Sequence, residues 1–324
     1  MTILITGGTG FLGSYLMRYA LTMGGEDHVV VLDRYMERGR IADLLDRVTL
    51  IEGDVADPAT VEAAIANHGV KRVAHFAFIL GSPAPDQMLP YVRVQTLGTA
   101  TVLESARKHG VERVLFASSV AAYGTQQADL LTEDLIPAPV EPYGASKAWG
   151  EALARHYTDS LGLDAVALRF GSTYGLGRAA RGSYRSGMLP LPSSVHYMAR
   201  VEAAARGQPI VMPGNDAMAD WTYAADAAKA AWLALTAAEL PHRLYNVGAE
   251  RAPIGEFTQA LRKLLPQAEI SVSASELPGN AHKPMDSSRL RRDLGYTPDY
   301  SLEDGIADYL DRIRIFDGYE RVAA

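Results

Sequence analysis

Short runs of β-branched and aliphatic residues alternate, along the first half of the chain, with longer stretches whose apolar positions recur at helical spacing. Ile3 to Ile5, Val29 to Leu32, Val48 to Glu52, Arg72 to Phe76 and Val114 to Ala117 are predicted strands; Phe11 to Met23, Pro58 to Asn67 and Leu89 to His109 are predicted helices. The strands are mainly apolar, as strands buried on both faces are. Repetition of strand, helix and strand in that form gives a parallel sheet covered on both sides. The pattern therefore predicts a doubly wound α/β fold of the Rossmann type. After Leu168 the rhythm loosens around Gly171, Gly175, Gly177, Gly182, Gly187, Pro190 and Pro192, which predicts a smaller C-terminal α/β lobe. Residues 1–168 are expected to form the first unit and 169–324 mainly the second. Residues 220–248 are expected to return to the first, because "RLYNVGAE" (243–250) reads as one more strand of its sheet.

In "ILITGGTGFLGSYL" (3–16) the first strand runs into a glycine turn and then a helix, with Gly7 or Gly8, Gly10 and Gly13 at the spacing of a dinucleotide loop. Glycines at the turn permit close backbone approach to a pyrophosphate, and Gly13 lets the helix pack on the strand. The helix N-terminus then offers free N–H groups and a partial positive charge. Asp33 closes "HVVVL" 20 residues after Gly13, where a carboxylate accepts hydrogen bonds from ribose hydroxyls and repels a 2′-phosphate. This favours NAD over NADP. Arg34, Arg38 and Arg40 follow it, either to neutralise such a phosphate or as charges of a solvated loop.

A helix opens at "EPYGASKAWGEAL" (141–153), with Tyr143 and Lys147 four residues apart and so on one face. A phenol with a pKa near about 10 needs a nearby cation to act as a base at neutral pH, and Lys147 supplies one. "VLFASSVAAYG" (114–124) delivers Ser118 and Ser119 at the C-terminal edge of a strand, the side on which doubly wound sheets bind ligands.

Composition narrows the field. The chain has 324 residues, 48% of them hydrophobic, enough for a large core, and a net charge of -7, which disfavours nucleic acid as a partner. It has no cysteine, so disulfides and thiolate chemistry are excluded and redox chemistry must use a bound cofactor. The histidines, His196 among them, show no zinc-ligand spacing, and no metal is expected. The sequence opens directly on the strand-like "MTILIT" and holds no apolar run of membrane-spanning length, so a cytoplasmic location without membrane attachment is expected.

With these pieces in order, the chain resembles an extended short-chain dehydrogenase/reductase of the NAD-dependent epimerase/dehydratase family. The resemblance rests on "TGGTGFLG" (6–13), "HFAF" (75–78), "GTATVLESARKHGVERVLFASSVAAYG" (98–124), "PYGASK" (142–147), "LRFGSTYGLG" (168–177), "YNVG" (245–248) and "LGYTPDYSLEDGI" (294–306). It implies Tyr143 as acid/base, Lys147 holding the nicotinamide ribose and lowering the tyrosine pKa, and Ser119, in preference to Ser118, bonding the reacting oxygen. It implies cofactor contacts from Gly7, Gly10, Phe11, Leu12, Gly13, Asp33, Arg34, Asp54, Val55, Phe76, Ala77 and Phe78. Asp54 also reads as part of an ordinary Asp-rich turn. A homodimer formed through the helices near Leu89 to His109 and Tyr143 to Leu161 is implied in the same way.

The sequence departs from the family pattern where nucleotide sugars are held. Ala219 in "ADWTYAAD" (219–226) stands where relatives carry an arginine for the diphosphate, and "ASELPGNAHKPMDSSRL" (274–290) offers Lys283 in place of a second. Gln95 and Ser172 replace asparagines, and Val120 and Ala121 stand where the dehydratase branch carries acidic residues. A smaller substrate is expected, walled by Phe78, Leu80, Ser119, Val120, Gly171 and Ser172, with Arg178, Arg181 or Arg185 available to clamp a carboxylate. The expected activity is NAD-dependent hydride transfer at a secondary alcohol or ketone. A nucleotide-sugar epimerase with tightly bound NAD is the alternative, and a non-catalytic dinucleotide-binding regulator is a third reading, one that does not require Ser119, Tyr143 and Lys147.

Overall fold

The computed structural model describes residues 2–323 apart from 82, 84, 127, 180–192, 215, 217, 249 and 274–282. In chain order the elements are β1 (Ile3–Thr6), α1 (Phe11–Thr22), β2 (Val29–Asp33), a 3-10 segment (Arg38–Arg47), β3 (Val48–Glu52), α2 (Pro58–Asn67) and β4 (Arg72–His75). There follow α3 (Met88–Val92), a π-helical turn (Arg93–Gly98), α4 (Thr99–Lys108), β5 (Arg113–Ser119), α5 (Pro142–Leu161), β6 (Ala165–Phe170) and β7 (Thr173–Tyr174). The remainder comprises α6 (Ser193–Ala205), β8 (Ile210–Pro213), β9 (Met218–Tyr223), α7 (Ala224–Thr236), β10 (Leu244–Val247), β11 (Glu250–Pro253), α8 (Ile254–Leu264), β12 (Ile270–Ser273), α9 (Ser288–Leu294) and α10 (Leu302–Ala323).

Seven strands form one sheet in the order β10-β6-β5-β4-β1-β2-β3, and every neighbouring pair is parallel. The order runs outward in both directions from the β1/β4 junction, and in open α/β sheets ligands bind at such a switch point, beyond the carboxyl ends of the strands. Alternation along each strand feeds two cores. Ile3 and Ile5 of β1 join the core that also takes residues of α1, α7, α8 and α10 on one face; Leu4 joins the core that takes residues of α2, α4 and α5 on the other.

Two expectations are refined. The stretch 243–250 divides: Leu244–Val247 pairs with β6 in the main sheet, whereas Glu250–Pro253 pairs antiparallel with β9. β9 itself belongs to a three-stranded sheet, β11-β9-β7, outside the main one. The predicted helix from Leu89 to His109 is three consecutive segments, because a π turn widens its middle. Among the described residues no helix is long and apolar enough to cross a membrane, and no group of three His, Asp or Glu side chains is placed to hold a metal ion.

Candidate active site

At the end of β1 the chain turns at Gly7, whose φ is +68° and whose added β-carbon would lie 2.7 Å from the backbone of Phe76 and Ala77. An added β-carbon on Gly13 would overlap the Gly7 carbonyl, so the glycines bring the start of α1 against the turn. The helix is capped by Gly10 with no side-chain bond to its first amides, those of Phe11 and Leu12 included, which leaves the positive end of its dipole directed at the loop. Asp33, at the end of β2, accepts from the Thr9 amide at 3.1 Å, the Thr9 hydroxyl at 2.8 Å and the Tyr35 amide at 3.3 Å. Burial pushes its carboxyl pKa up and these bonds oppose the shift. A carboxylate has about four acceptor sites, so capacity remains for a ribose hydroxyl.

Around this loop the arginines separate. Arg34 and Arg93 flank Asp54, each 3.5 Å from its carboxylate, while the other Asp54 oxygen accepts from the Ala56 amide at 2.9 Å, as in a turn. Val55 is buried against the π turn, so any ligand meets its backbone. Arg38 is exposed, but Arg40 is not a solvated loop charge: it is buried and donates to the Thr9 carbonyl at 2.8 Å.

The helix α5 carries Tyr143, Lys147 and Glu151 at successive four-residue steps, hence along one face. Ser119, the last residue of β5, lies beside the Tyr143 side chain and accepts from the Ala121 amide at 3.2 Å. Its neighbour Ser118 points the other way, donating to Glu151 at 2.5 Å, and Glu151 is gripped by Arg169 at 2.6 and 2.8 Å. Burial pushes the Tyr143 phenol up, opposed by the charge of Arg178 and then by the Ser119 hydroxyl.

Lys147 is covered by the Phe78 ring. It is 1% exposed, donates to the Ala117 carbonyl at 2.7 Å, and lies 2.9 Å from the centre of the Phe78 ring and 5.3 Å from that of Tyr143. Burial holds its pKa well below the ordinary lysine value, against the pull of Glu151. The charge of Arg178 also bears on Tyr143, and its guanidinium lies 5.7 Å from the Phe11 ring centre. Phe78, expected to line the nicotinamide side with Ala77, covers Lys147, and its ring centre lies 4.5 Å from that of His75, with the rings tilted. His75 sits between the hydroxyls of Thr6 (2.7 Å) and Thr99 (3.3 Å), its pKa lowered to about 3 by burial and by Lys147.

Of the expected pocket wall, Leu80, Val120, Gly171, Ser172 and Arg178 are partly exposed near the ends of β4, β5 and β6. Arg181 and Arg185 lie outside the described residues, as does the side chain of His196. Three further residues were not singled out for these contacts by the sequence. Gln95, in the π turn, accepts from the Ile79 amide at 2.9 Å and donates to the Ile79 carbonyl at 3.1 Å, fixing the loop that precedes Leu80. Glu151 was visible as the next four-residue step after Lys147. The burial of Arg40 has no signature in a sequence.

A sheet that reverses at β1/β4, a glycine turn opening on an uncapped helix, and a Tyr/Lys helix beside Ser119 define a doubly wound α/β protein of the extended short-chain dehydrogenase/reductase type. Residues 3–248 match the model of the NAD dependent epimerase/dehydratase family, an enzyme family, and the chain belongs to it. It is 28% identical over 316 residues to UDP-glucose 4-epimerase of Azospirillum brasilense, covering 94% of this chain and 89% of the relative. It is also 28% identical over 324 residues to dTDP-glucose 4,6-dehydratase of an Actinoplanes species, covering 95% and 96%. Among solved structures, the UDP-glucose 4-epimerase of Thermus thermophilus in complex with NAD superposes with a TM-score of 0.77 at 29% identity, over 97% of this chain and 99% of that one.

Proposed function

We propose that this enzyme binds NAD along the glycine loop and transfers hydride between nicotinamide and a secondary alcohol or ketone carbon of a small polar substrate, with Tyr143 as the acid/base. The observation that carries the reading is the placement of Ser119, at the carboxyl end of β5, beside the Tyr143 and Lys147 face of α5, in a sheet whose switch point holds the glycine turn. The phosphate half of NAD fits the cradle of Gly7, Gly10 and Gly13 and the uncapped start of α1, and Asp33 favours the ribose of NAD over a 2′-phosphate. Lys147 reaches the nicotinamide ribose once the Phe78 ring turns aside.

When bound, oxidised nicotinamide accepts the hydride from the alcohol carbon. Ser119 orients the substrate hydroxyl, and the Tyr143 phenolate takes its proton as the C–H bond gives up its electron pair. Arg178 favours the phenolate by its charge. In the reverse direction Tyr143 returns the proton to the ketone oxygen.

Ala219, on β9 opposite Ala252, cannot bind a phosphate, and Lys283 is 3.1 Å from Asp129. Both support a substrate without a nucleoside diphosphate. The names of the relatives favour the second reading, a nucleotide-sugar epimerase in which hydride returns to the same carbon. Incubation with NAD and sugar acids, aldoses, lactones, hydroxy acids or nucleotide sugars separates the two. Net NADH formation identifies a dehydrogenase, an isomerised nucleotide sugar without NADH an epimerase. Turnover by Tyr143→Phe equal to that of the native enzyme would refute the acid/base assignment. A homodimer through α3, α4 and α5 is part of the proposal, supported by the exposure of Leu89, Leu97 and Trp149 on those helices and the π turn.

A further inference from the structure

Three consecutive residues at the end of β5 meet one face of α5, each at a different four-residue step. The Ala117 carbonyl accepts from Lys147 at 2.7 Å, the Ser118 hydroxyl donates to Glu151 at 2.5 Å, and Ser119 lies beside Tyr143. Ser119 and Tyr143 belong to the proposed chemistry and Lys147 to cofactor binding, which leaves Glu151 without a role. Its side chain is 9% exposed, and Arg169, 1% exposed, grips both its oxygens at 2.8 and 2.6 Å. Arg169 is the partner of Ser118 on β6 and of Asn246 on β10. Its guanidinium lies 4.3 Å from the centre of the Tyr123 ring, whose hydroxyl donates to Asn246 at 2.8 Å. The carboxylate is thus anchored by a row of side chains that crosses three strands, one helical turn beyond Lys147.

The groups that face the Lys147 ammonium offer it little else. The ring centres of Phe78, Phe116 and Tyr143 lie 2.9, 5.2 and 5.3 Å away, and the Ala117 carbonyl takes one hydrogen bond. His75, its pKa lowered to about 3, is neutral at ordinary pH. Arg169, the cation on the next strand, is committed to Glu151. An ammonium taken out of water among such groups gives up its proton unless an anion balances it. The anion that acts on Lys147 is Glu151. A buried carboxylate can itself take up a proton, but a guanidinium keeps its charge at any ordinary pH and holds this one ionised through both oxygens. Arg169, Glu151 and Lys147 therefore alternate in sign.

We propose that Glu151 is a positioning residue that acts through Lys147: its carboxylate, fixed by Arg169, keeps the buried lysine an ammonium. The use of that charge rests on the proposed reaction, in which the ammonium holds the nicotinamide ribose and favours the Tyr143 phenolate. The charge itself is a property of the free protein.

The full chain without cofactor, labelled with carbon-13 in its lysine side chains, is titrated by NMR, and the Lys147 signal is identified by its absence from Lys147→Met. Native Lys147 is expected to be an ammonium at pH ~7. Glu151→Gln keeps the size of the side chain and an acceptor for Ser118 but loses the charge. The Lys147 midpoint is expected to fall in it by at least about one pH unit, a tenfold loss of affinity for the proton. Ser118→Ala removes the bond and keeps the charge, so its midpoint should stay within about 0.3 pH units of the native one. Because Glu151→Gln leaves Arg169 buried without its partner, the double variant Glu151→Gln, Arg169→Met is measured beside it, and its midpoint should fall in the same direction. A neutral Lys147 in the native chain at pH ~7, a native midpoint in either Glu151 variant, or an equal fall in Ser118→Ala overturns the inference. In turnover, Glu151→Gln should move the climb of the oxidation rate to higher pH; an unchanged pH profile beside a lowered Lys147 midpoint overturns the positioning role. The NMR titration is read without NAD or substrate, so a failure of the proposed reaction leaves its outcome standing.

Discussion

Two adjacent serines end β5, and their directions are set by the pleat of the strand: Ser119 meets Tyr143 and Ser118 meets the buried Glu151. Ser119→Ala is expected to lower kcat about 100-fold with little change in melting temperature. Ser118→Ala is expected to spare most turnover but cost about 1–3 kcal/mol of stability in urea unfolding, because Glu151 loses a donor in the interior. In the proposed reaction oxidation needs the Tyr143 phenolate, whose pKa burial raises and Arg178 lowers; the rate should then climb with pH, and Arg178→Met should move the climb to higher pH. Two other groups tie stability to pH with opposite signs. Burial raises Asp226 from 3.8 to about 6, so the folded chain holds that proton longer than the unfolded one, and this contribution falls as pH rises through that window. His75, lowered from 6.5 to about 3, loses stability as pH falls between those values. Asp226→Asn removes the first effect, and the variant should lose stability more steeply than the native chain between pH ~6 and ~4, by at most about 1.4 kcal/mol per unit. The types and positions of Ser119, Tyr143 and Lys147 were legible because strand ends and four-residue helical steps are local geometry. The cover of Phe78 over Lys147 and the burial of Arg40 were not, since both depend on residues distant in sequence.

Among elements, those governed by local pattern agree closely with the sequence. α2 begins with Asp57 accepting the Ala59 amide and Pro58 in the first turn, and it spans the predicted Pro58–Asn67. The π turn was hidden, because apolar spacing barely distinguishes a widened turn from an ordinary one. Gln95 lies within that turn, where its amide pairs with both backbone groups of Ile79 and also donates to the Tyr91 hydroxyl at 3.2 Å. Gln95→Leu leaves those groups unmet; a loss of about 2–4 kcal/mol in denaturant unfolding is expected, with faster proteolysis near residue 80. The small sheet of β7, β9 and β11 was also illegible, because strands of two to six residues carry too little alternation to stand out among glycines and prolines.

For the whole molecule, the proposed dimer is tested by sedimentation at micromolar concentration, with a dimer expected for the native chain and a monomer for Leu97→Glu. The route of the chain through the main sheet has a consequence for its synthesis. β6, buried along its whole length, pairs on its outer side with β10, and the chain between them, from residue 170 to residue 244, first builds β7, β8 and β9. At about 5–20 residues per second, a ribosome needs on the order of ten seconds to deliver β10 after β6 has emerged. During that interval β6 has an unpaired apolar edge, the kind that recruits strands from other chains. A nascent chain arrested at residue 240 should therefore need a chaperone to stay soluble, and one extended until β10 has left the ribosome should need it less.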